Sequence, residues 1–185
     1  MEYKLNNPII SKNYIEELFK LCYNINPYEL LTPTQDFLEE PTNLDNIDDG
    51  SKLLINTLNK PDSRIVFIVD PDVDGFTSSA ILWLYIKKLW PEANLEYQVH
   101  SGKQHGLEDM VDELETRSED ISLIILPDSS SNDEEYHIRL NNARVPILVL
   151  DHHEANEYSQ SAVVINNQLS HNYSNKALTG AGVVY

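Results

Sequence analysis

Three aspartates lie close together directly after an apolar segment. In the stretch RIVFIVDPDVDG, residues 64–75, Asp70, Asp72 and Asp74 follow the apolar run. Carboxylates this close repel one another unless cations or backbone donors offset their charge. A loop whose aspartates cap the next helix or face water is the simpler interpretation, so a metal site requires partners from elsewhere in the chain.

Two other apolar runs end in the same kinds of residue. LIILPD ends in Asp128, and ILVLDHH ends in Asp151, His152 and His153. Because sites in parallel α/β sheets lie past the carboxyl ends of the strands, we expect the three segments to meet at one edge. Carboxylates with imidazoles suit Mn²⁺ or Mg²⁺ better than a structural zinc, which usually takes thiolates. The aspartates are therefore interpreted as metal ligands.

The number of candidate ligands exceeds what one ion requires. A carboxylate that bridges two ions about 4 Å apart is the usual design for phosphoester hydrolysis, in which the ions hold the phosphate and acidify a water. The residues therefore predict phosphoester cleavage as the reaction class.

The positions of these motifs depend on a fold of alternating strands and helices. From Arg64 onward, short apolar runs alternate with helical segments, which predicts an α/β parallel sheet with helices on both faces. The predicted strands are RIVFIVD, NLEYQVH, ISLIILPD, VPILVLD and SAVVIN. Residues 1–60 are interpreted as a helical N-terminal segment, with a first helix in NYIEELFKLCYNI and a second in GSKLLINTLNKP, capped by Ser51. Residues 61–185 form the predicted catalytic domain.

The composition limits the partners and the compartment. Thirteen basic against 30 acidic residues give a net charge of −17, which argues against broad electrostatic attraction to nucleic acid or to anionic membranes. The single cysteine, Cys22, cannot form an internal disulfide and fits a reducing compartment. Because the sequence shows neither a signal peptide nor a long apolar span, we expect a soluble cytoplasmic protein.

The motifs also resemble a known family. DPDVDG at 70–75, PDSS at 127–130 and DHH at 151–153 are similar, in this order, to the first three motifs of the DHH phosphoesterase superfamily. Within it the chain resembles RecJ-like single-strand-specific exonucleases, and DGFTSSAIL, HSGKQHGL and NKALTGAGVVY support that branch. The resemblance covers residues 64–185. It implies Mn²⁺- or Mg²⁺-dependent hydrolysis of single-stranded DNA from the 5′ end, in DNA repair and recombination.

The same resemblance implies roles for the metal-site residues. Asp72 and Asp74 would bind two ions that Asp128 bridges, while His152 would be a ligand and His153 a ligand or charge stabiliser near the scissile phosphate.

Three further assignments are less specific. Asp151 would orient an imidazole through its other nitrogen. Asp70 stays open between a further ligand and a strand-end cap. Candidate substrate contacts, each with a simple structural alternative as a loop, cap or packing residue, are Ser129, Lys103, His105 and Gly180. The other three histidines of this region are interpreted as ordinary surface or strand-end residues: His100, His137 and His171.

The chain departs from the family in two features. A fourth aspartate motif, expected beyond the Gly-rich helix, and a second, substrate-gripping domain are missing, so the 185 residues are expected to be the front part of a longer enzyme or a truncation. Two alternatives remain. One is a phosphodiesterase for short oligonucleotides or cyclic dinucleotides, which fits the acidity. The other is a truncated, non-catalytic binding module of a DNA repair or replication complex.

Overall fold

The computed structural model describes Glu17, residues 38–100 and residues 106–185. The strands in these residues are β1 Arg64–Val69, β2 Asn94–Val99, β3 Leu123–Pro127, β4 Ile147–Asp151 and β5 Val163–Asn166. The helices are α1 Ile47–Leu58, α2 Val73–Leu89, α3 Val111–Thr116, α4 Glu134–Asn142 and α5 Gly180–Val184, with short 3₁₀ turns at Pro41–Asn43 and Ser118–Asp120. The first helix predicted near the N-terminus, with Cys22, lies outside the described residues. Among the described helices none has the length and apolar character to cross a membrane.

The five strands form one parallel sheet in the order β2-β1-β3-β4-β5. The prediction of an α/β parallel sheet is therefore confirmed. The chain runs from β1 outward to β2 and then returns to place β3 on the other side of β1. This reversal opens a crevice past the ends of β1 and β3, where α/β sheets commonly bind ligands.

Helices bury both faces of the sheet. On one face Phe67 and Leu148 pack with α1, α2 and α5, whereas on the other Val66 and Ile124 pack with α3 and α4. Burial on both sides explains why the strands are apolar at successive positions instead of alternating. Polar side chains are therefore expected at the strand ends, where they leave these apolar layers.

The start of α1 differs from the prediction. Ser51 was expected to cap this helix, but α1 begins at Ile47, after Asn46 in the left-handed conformation with φ of 64°. Gly50 then faces the sheet, where a Cβ would lie 2.7 Å from Cδ1 of Ile165. Although glycine is a poor helix former, the missing side chain at Gly50 allows this first turn of α1 to lie close to β5.

Candidate metal centre

The end of β1 delivers the first aspartates. Asp70 is fully buried, and Asp72 is the N-cap of α2, where its Oδ1 accepts a hydrogen bond of 2.8 Å from the Gly75 N–H. A Cβ at Gly75 would lie 2.4 Å from the Asp70 carbonyl oxygen, so glycine is required by close backbone approach. Asp72 thus does the capping that the simpler interpretation expected, through one of its two carboxylate oxygens.

Asp74 connects the start of α2 to the start of α5. Its Oδ2 accepts from the Gly180 N–H at 2.7 Å, and its Oδ1 accepts from the Ala181 N–H at 2.9 Å. The Gly180 amide, considered for substrate phosphate, therefore donates to Asp74 within the protein. Each carboxylate oxygen can accept more than one bond, so Asp74 can still coordinate a cation.

Asp128 follows β3 in a conformation that is unusual for a residue with a side chain. Its φ is 69°, its side chain is 1% exposed, and its N–H donates to the Leu150 carbonyl at 2.7 Å. Asparagine and aspartate tolerate the left-handed region better than most residues. A Cβ at Gly180 would lie 2.1 Å from Asp128 Oδ1, so the start of α5 packs directly against this carboxylate.

Asp151 organises the end of β4. Its Oδ1 accepts from the His153 ring Nδ1 at 2.7 Å and from the His152 N–H at 2.7 Å, and its Oδ2 accepts from the Ser131 N–H at 3.1 Å. Burial alone would raise the pKa of Asp151, but the hydrogen bonds from His153 and Ser131 outweigh it and lower the pKa to about 2. The hydrogen bond to Asp151 raises the pKa of His153 to about 9.

The strand ends bring these residues into two overlapping groups. One contains Asp128, His152 and His153, and the other contains Asp70, Asp72 and Asp128; within each group one potential ligand atom per residue lies within 4.8 Å of the others. Asp128 belongs to both groups. Asp74 lies at their border, with its Oδ2 3.6 Å from Nε2 of His152.

The contact between Asp128 and His152 fits two ligands of one cation. Asp128 Oδ1 and His152 Nε2 are 3.2 Å apart, yet Asp128 Oδ1 makes no hydrogen bond to any described residue. Two ligands about 2.1 Å from one ion, at an angle of about 100°, lie about 3.2 Å apart. The buried, unbonded oxygen beside an imidazole nitrogen is therefore the arrangement expected of a metal site.

The charges of the site also favour a cation. Burial, together with the nearby Asp74 and Asp72, raises the pKa of Asp128 to about 7. A carboxylate in this position is disfavoured as an anion until positive charge offsets its neighbours. The residues present thus fit Mn²⁺ or Mg²⁺, which accept carboxylate oxygens and imidazole.

Comparison with known proteins now identifies the family. Residues 64–185 match the model of the DHH family, N-terminal domain. This chain belongs to the DHH family. The resemblance inferred from the motifs is confirmed, and the candidate metal centre lies within the matched residues.

Three relatives show what this DHH chain is similar to. One relative is YorK of the SPbeta prophage in Bacillus subtilis strain 168, which is provisionally named as a single-strand DNA-specific exonuclease. It is 46% identical to this chain over 142 residues, which are 77% of this chain and 24% of YorK. The single-stranded-DNA-specific exonuclease RecJ of Escherichia coli K12 is 28% identical over 150 residues, covering 77% of this chain and 25% of RecJ. The crystal structure of Thermus thermophilus RecJ in complex with Mn²⁺ has a TM-score of 0.69 at 22% identity, over 93% of this chain and 24% of that one. The chain spans about a quarter of the length of these relatives.

The remaining predicted site residues have different outcomes. Ser129 is 1% exposed, and its hydroxyl finds no hydrogen-bond partner within the part of the chain that the structure describes. It lines a cavity of about 440 Å³ beside Asp151 and His153. Its hydroxyl therefore lies beside residues of the candidate metal centre. Lys103 and His105 lie outside the described residues.

Sequence reasoning missed two buried polar residues at the same edge of the sheet. Asn166, the last residue of β5, donates to the His153 carbonyl at 3.0 Å and to Ser131 Oγ at 2.8 Å. His100, directly after β2, lies with its Nε2 2.7 Å from Asp70 Oδ1. The strand-end rule that found Asp70 and Asp128 would have found both, had it been applied to β2 and β5 as well.

The interpretation as an ordinary surface or strand-end residue was wrong for His137, whereas His100 does lie at a strand end but is buried instead of exposed. His100 is at a strand end but only 4% exposed, and His137 is fully buried in α4 with Nδ1 3.1 Å from Ser159 Oγ. His137 occupies an apolar position of the helix, where its ring packs like a core side chain. His171 is exposed, as expected.

Proposed function

We propose that this chain is the catalytic N-terminal part of a metal-dependent phosphodiesterase that hydrolyses single-stranded DNA from its 5′ end. One observation carries the proposal: three parallel strands deliver Asp70, Asp72, Asp128, His152 and His153 to one place, where their ligand atoms fit divalent cations. Membership of the DHH family and the names of the relatives support the choice of substrate. The direction of digestion rests on the resemblance to RecJ-like enzymes.

Two ions, Mn²⁺ or Mg²⁺, fit the two overlapping groups. Asp128, His152 and His153 would hold one ion, Asp70 and Asp72 would hold the other with Asp128, and Asp74 would contribute at their border. The presence of Asp128 in both groups supports its role as the bridging ligand. Bound there, such ions acidify a water molecule and offset negative charge on the phosphoryl oxygens.

The protein's own groups orient and charge the site. Because His153 Nδ1 is bonded to Asp151, the ring can coordinate an ion or contact phosphate only through Nε2. The raised pKa of His153 favours the cationic ring, whose protonated Nε2 would stabilise phosphate charge; as a ligand of the ion, the ring would instead have to lose this proton. The buried Ser129 hydroxyl would donate to a phosphate oxygen from the adjoining cavity.

The acidity of the protein favours a second candidate, hydrolysis of short oligonucleotides or cyclic dinucleotides. From Pro61 onward the chain has 20 acidic and 8 basic residues, so it offers few cations to follow a long phosphate backbone. A substrate with few phosphates would suffer less repulsion. To bind a long strand, the chain would need a basic domain or a partner protein of a repair complex that supplies positive charges along the phosphate backbone.

Two further assignments accompany the proposal. We assign residues 61–185 to the phosphoesterase domain and residues 1–60 to a segment before it, in which α1 packs against the sheet and residues 1–16 and 18–37 lie outside the described residues. The single cysteine suits work in the reducing cytoplasm.

The function can be tested with end-labelled substrates. The chain is incubated with Mn²⁺ and 5′-labelled or 3′-labelled single strands, duplexes, dinucleotides and cyclic dinucleotides, while calorimetry measures Mn²⁺ binding. We expect metal-dependent hydrolysis that Asp128→Asn abolishes and that Asp49→Asn, a change of an exposed carboxylate in α1, leaves intact. Faster turnover of dinucleotides than of long strands in competition would favour the second candidate.

Two results would contradict the proposal. Metal-dependent cleavage by Asp128→Asn would show that Asp128 is not the bridging ligand. Failure of the unmodified chain to bind Mn²⁺ at micromolar to millimolar concentrations would favour the non-catalytic binding module.

A further inference from the structure

The histidine that follows β2 is not one of the candidate metal ligands, but it contacts one of them, Asp70. His100 Nε2 lies 2.7 Å from Asp70 Oδ1, and the two side chains are 2% and 0% exposed. This is a short hydrogen bond between a ring N–H and a carboxylate, both withdrawn from water. Such charge-assisted bonds are about twice as strong as bonds between neutral groups.

The backbone places the two residues side by side. Strands β1 and β2 are parallel neighbours in which Val69 pairs with Val99, so Asp70 and His100 are the next residues past the paired ends. The pairing continues one step further, because the His100 N–H donates to the Val69 carbonyl at 3.3 Å. Sheet register thus holds the imidazole beside the carboxylate, and no mobile segment is needed to bring them together.

Close packing against α2 fixes the main chain of Asp70. Its main chain and Cβ are packed against Gly75, where an added Cβ would lie 2.5 Å from Asp70 Cβ. The orientation of the carboxylate then depends on the groups that bond its oxygens, and His100 bonds Oδ1. That carboxylate also offers an oxygen within 4.8 Å of ligand atoms from Asp72 and Asp128.

We propose that His100 is a positioning residue of the metal centre, which holds the Asp70 carboxylate in the orientation that a divalent cation requires. The inference rests on the proposed function, because it assumes that the cation binds where Asp70, Asp72 and Asp128 converge. It assigns Asp70 to the ligands rather than to a strand-end cap. Outer partners of metal ligands typically contribute about 10–100-fold to metal affinity.

The test compares variants of His100 by their Mn²⁺ affinity. His100→Leu removes the donor, whereas His100→Gln keeps an amide N–H near the position of Nε2. His137→Leu is the matched control, because His137 is also fully buried but contacts Ser159 instead of a ligand group. Calorimetry gives the Mn²⁺ affinity, electron paramagnetic resonance gives the symmetry of bound Mn²⁺, and urea unfolding in EDTA gives the stability.

We expect His100→Leu to weaken Mn²⁺ binding by about 10–100-fold and to change the Mn²⁺ spectrum, while His100→Gln stays within about threefold of the unmodified chain. His137→Leu should lose stability but keep its Mn²⁺ affinity. If His100→Leu does not fold, His100→Asn replaces it, because its shorter amide cannot reach Asp70 and should lose affinity relative to His100→Gln.

The outcomes separate this inference from the function on which it rests. Equal Mn²⁺ affinity in the folded Leu or Asn variant and the unmodified chain would overturn the positioning role and leave the metal centre standing. Equal losses in His100→Leu and His137→Leu would also overturn it, since a general effect of core damage would then explain both. If the unmodified chain binds no Mn²⁺, the proposed function itself fails.

Discussion

Replacing Asp128 with asparagine should change how the stability of the metal-free protein depends on pH. Asp128 is 1% exposed, and burial near Asp74 and Asp72 raises its pKa to about 7. In the unfolded chain its pKa returns to about 3.9. The folded protein therefore binds this proton more tightly, so the destabilisation from Asp128 is absent below about pH 4, grows as the pH rises, and reaches its full size above about pH 7.

The size of the effect follows from the two pKa values. Ionisation of Asp128 lowers the free energy of unfolding by about 1.5 kcal/mol at pH 5 and by about 4 kcal/mol at pH 8. Asparagine has the same shape, stays neutral and tolerates the φ of 69°. The stability of Asp128→Asn relative to the unmodified chain should therefore rise by about 2.5 kcal/mol between pH 5 and pH 8.

Urea unfolding in EDTA, followed by circular dichroism at both pH values, measures this difference. His153, whose pKa the bond to Asp151 raises to about 9, contributes stability that is lost as the pH rises through 9. The bond to Asp151 is present in both proteins, and only the smaller charge effect of Asp128 on the pKa of His153 is removed in the variant. Asp49→Asn, whose carboxylate is 72% exposed, should show no such pH-dependent difference.

Excess Mn²⁺ at pH 8 should offset most of this difference in stability. At about 100 times the dissociation constant, bound metal stabilises the unmodified chain by about 2.7 kcal/mol, while Asp128→Asn gains little. If Asp128→Asn and the unmodified chain showed parallel pH dependence in EDTA, the charge repulsion inferred at this site would be absent and the reasoning refuted.

Three other substitutions test the packing and the backbone conformation near this carboxylate. Gly180→Ala should weaken Mn²⁺ binding about tenfold or more in calorimetry, because its Cβ would lie 2.1 Å from Asp128 Oδ1. Gly182→Ala, whose Cβ would meet the flexible Leu178 Cδ2 at 3.2 Å, should bind normally, and equal losses would contradict this explanation. Ser130→Gly should raise the free energy of unfolding in urea by about 0.5–1 kcal/mol, because Ser130 has φ of 76°; a decrease would show that its side chain stabilises the loop.

The order and type of the site residues could be predicted because parallel sheets impose simple rules. A strand covered on both faces must be apolar throughout, so Asp70, Asp128 and Asp151 were visible as interruptions at the ends of apolar runs. Parallel strands also share one carboxyl edge, which made their convergence a direct consequence of the fold. The family resemblance followed from the same three motifs.

The partners of these residues could not be predicted in the same way. Asp74 accepts from the amides of Gly180 and Ala181, more than a hundred residues later in the chain. Its capping of α5 depends on where that segment returns to the sheet, and neither periodicity nor composition encodes that position. His100 was passed over for a related reason, because its significance depends on which strand lies next to β1.

By itself, the sequence determined the alternation of strands and helices, the acidic and imidazole groups at the strand ends, and the family. The tertiary structure alone decided which oxygens are bonded, which are buried without a partner among the described residues, and how close Asp128 comes to His152. The physical reason is that the pattern of apolar residues is set by burial, which acts along each element. Ligand geometry and charge repulsion instead depend on distances of a few ångströms between elements, and only the packed sheet defines these.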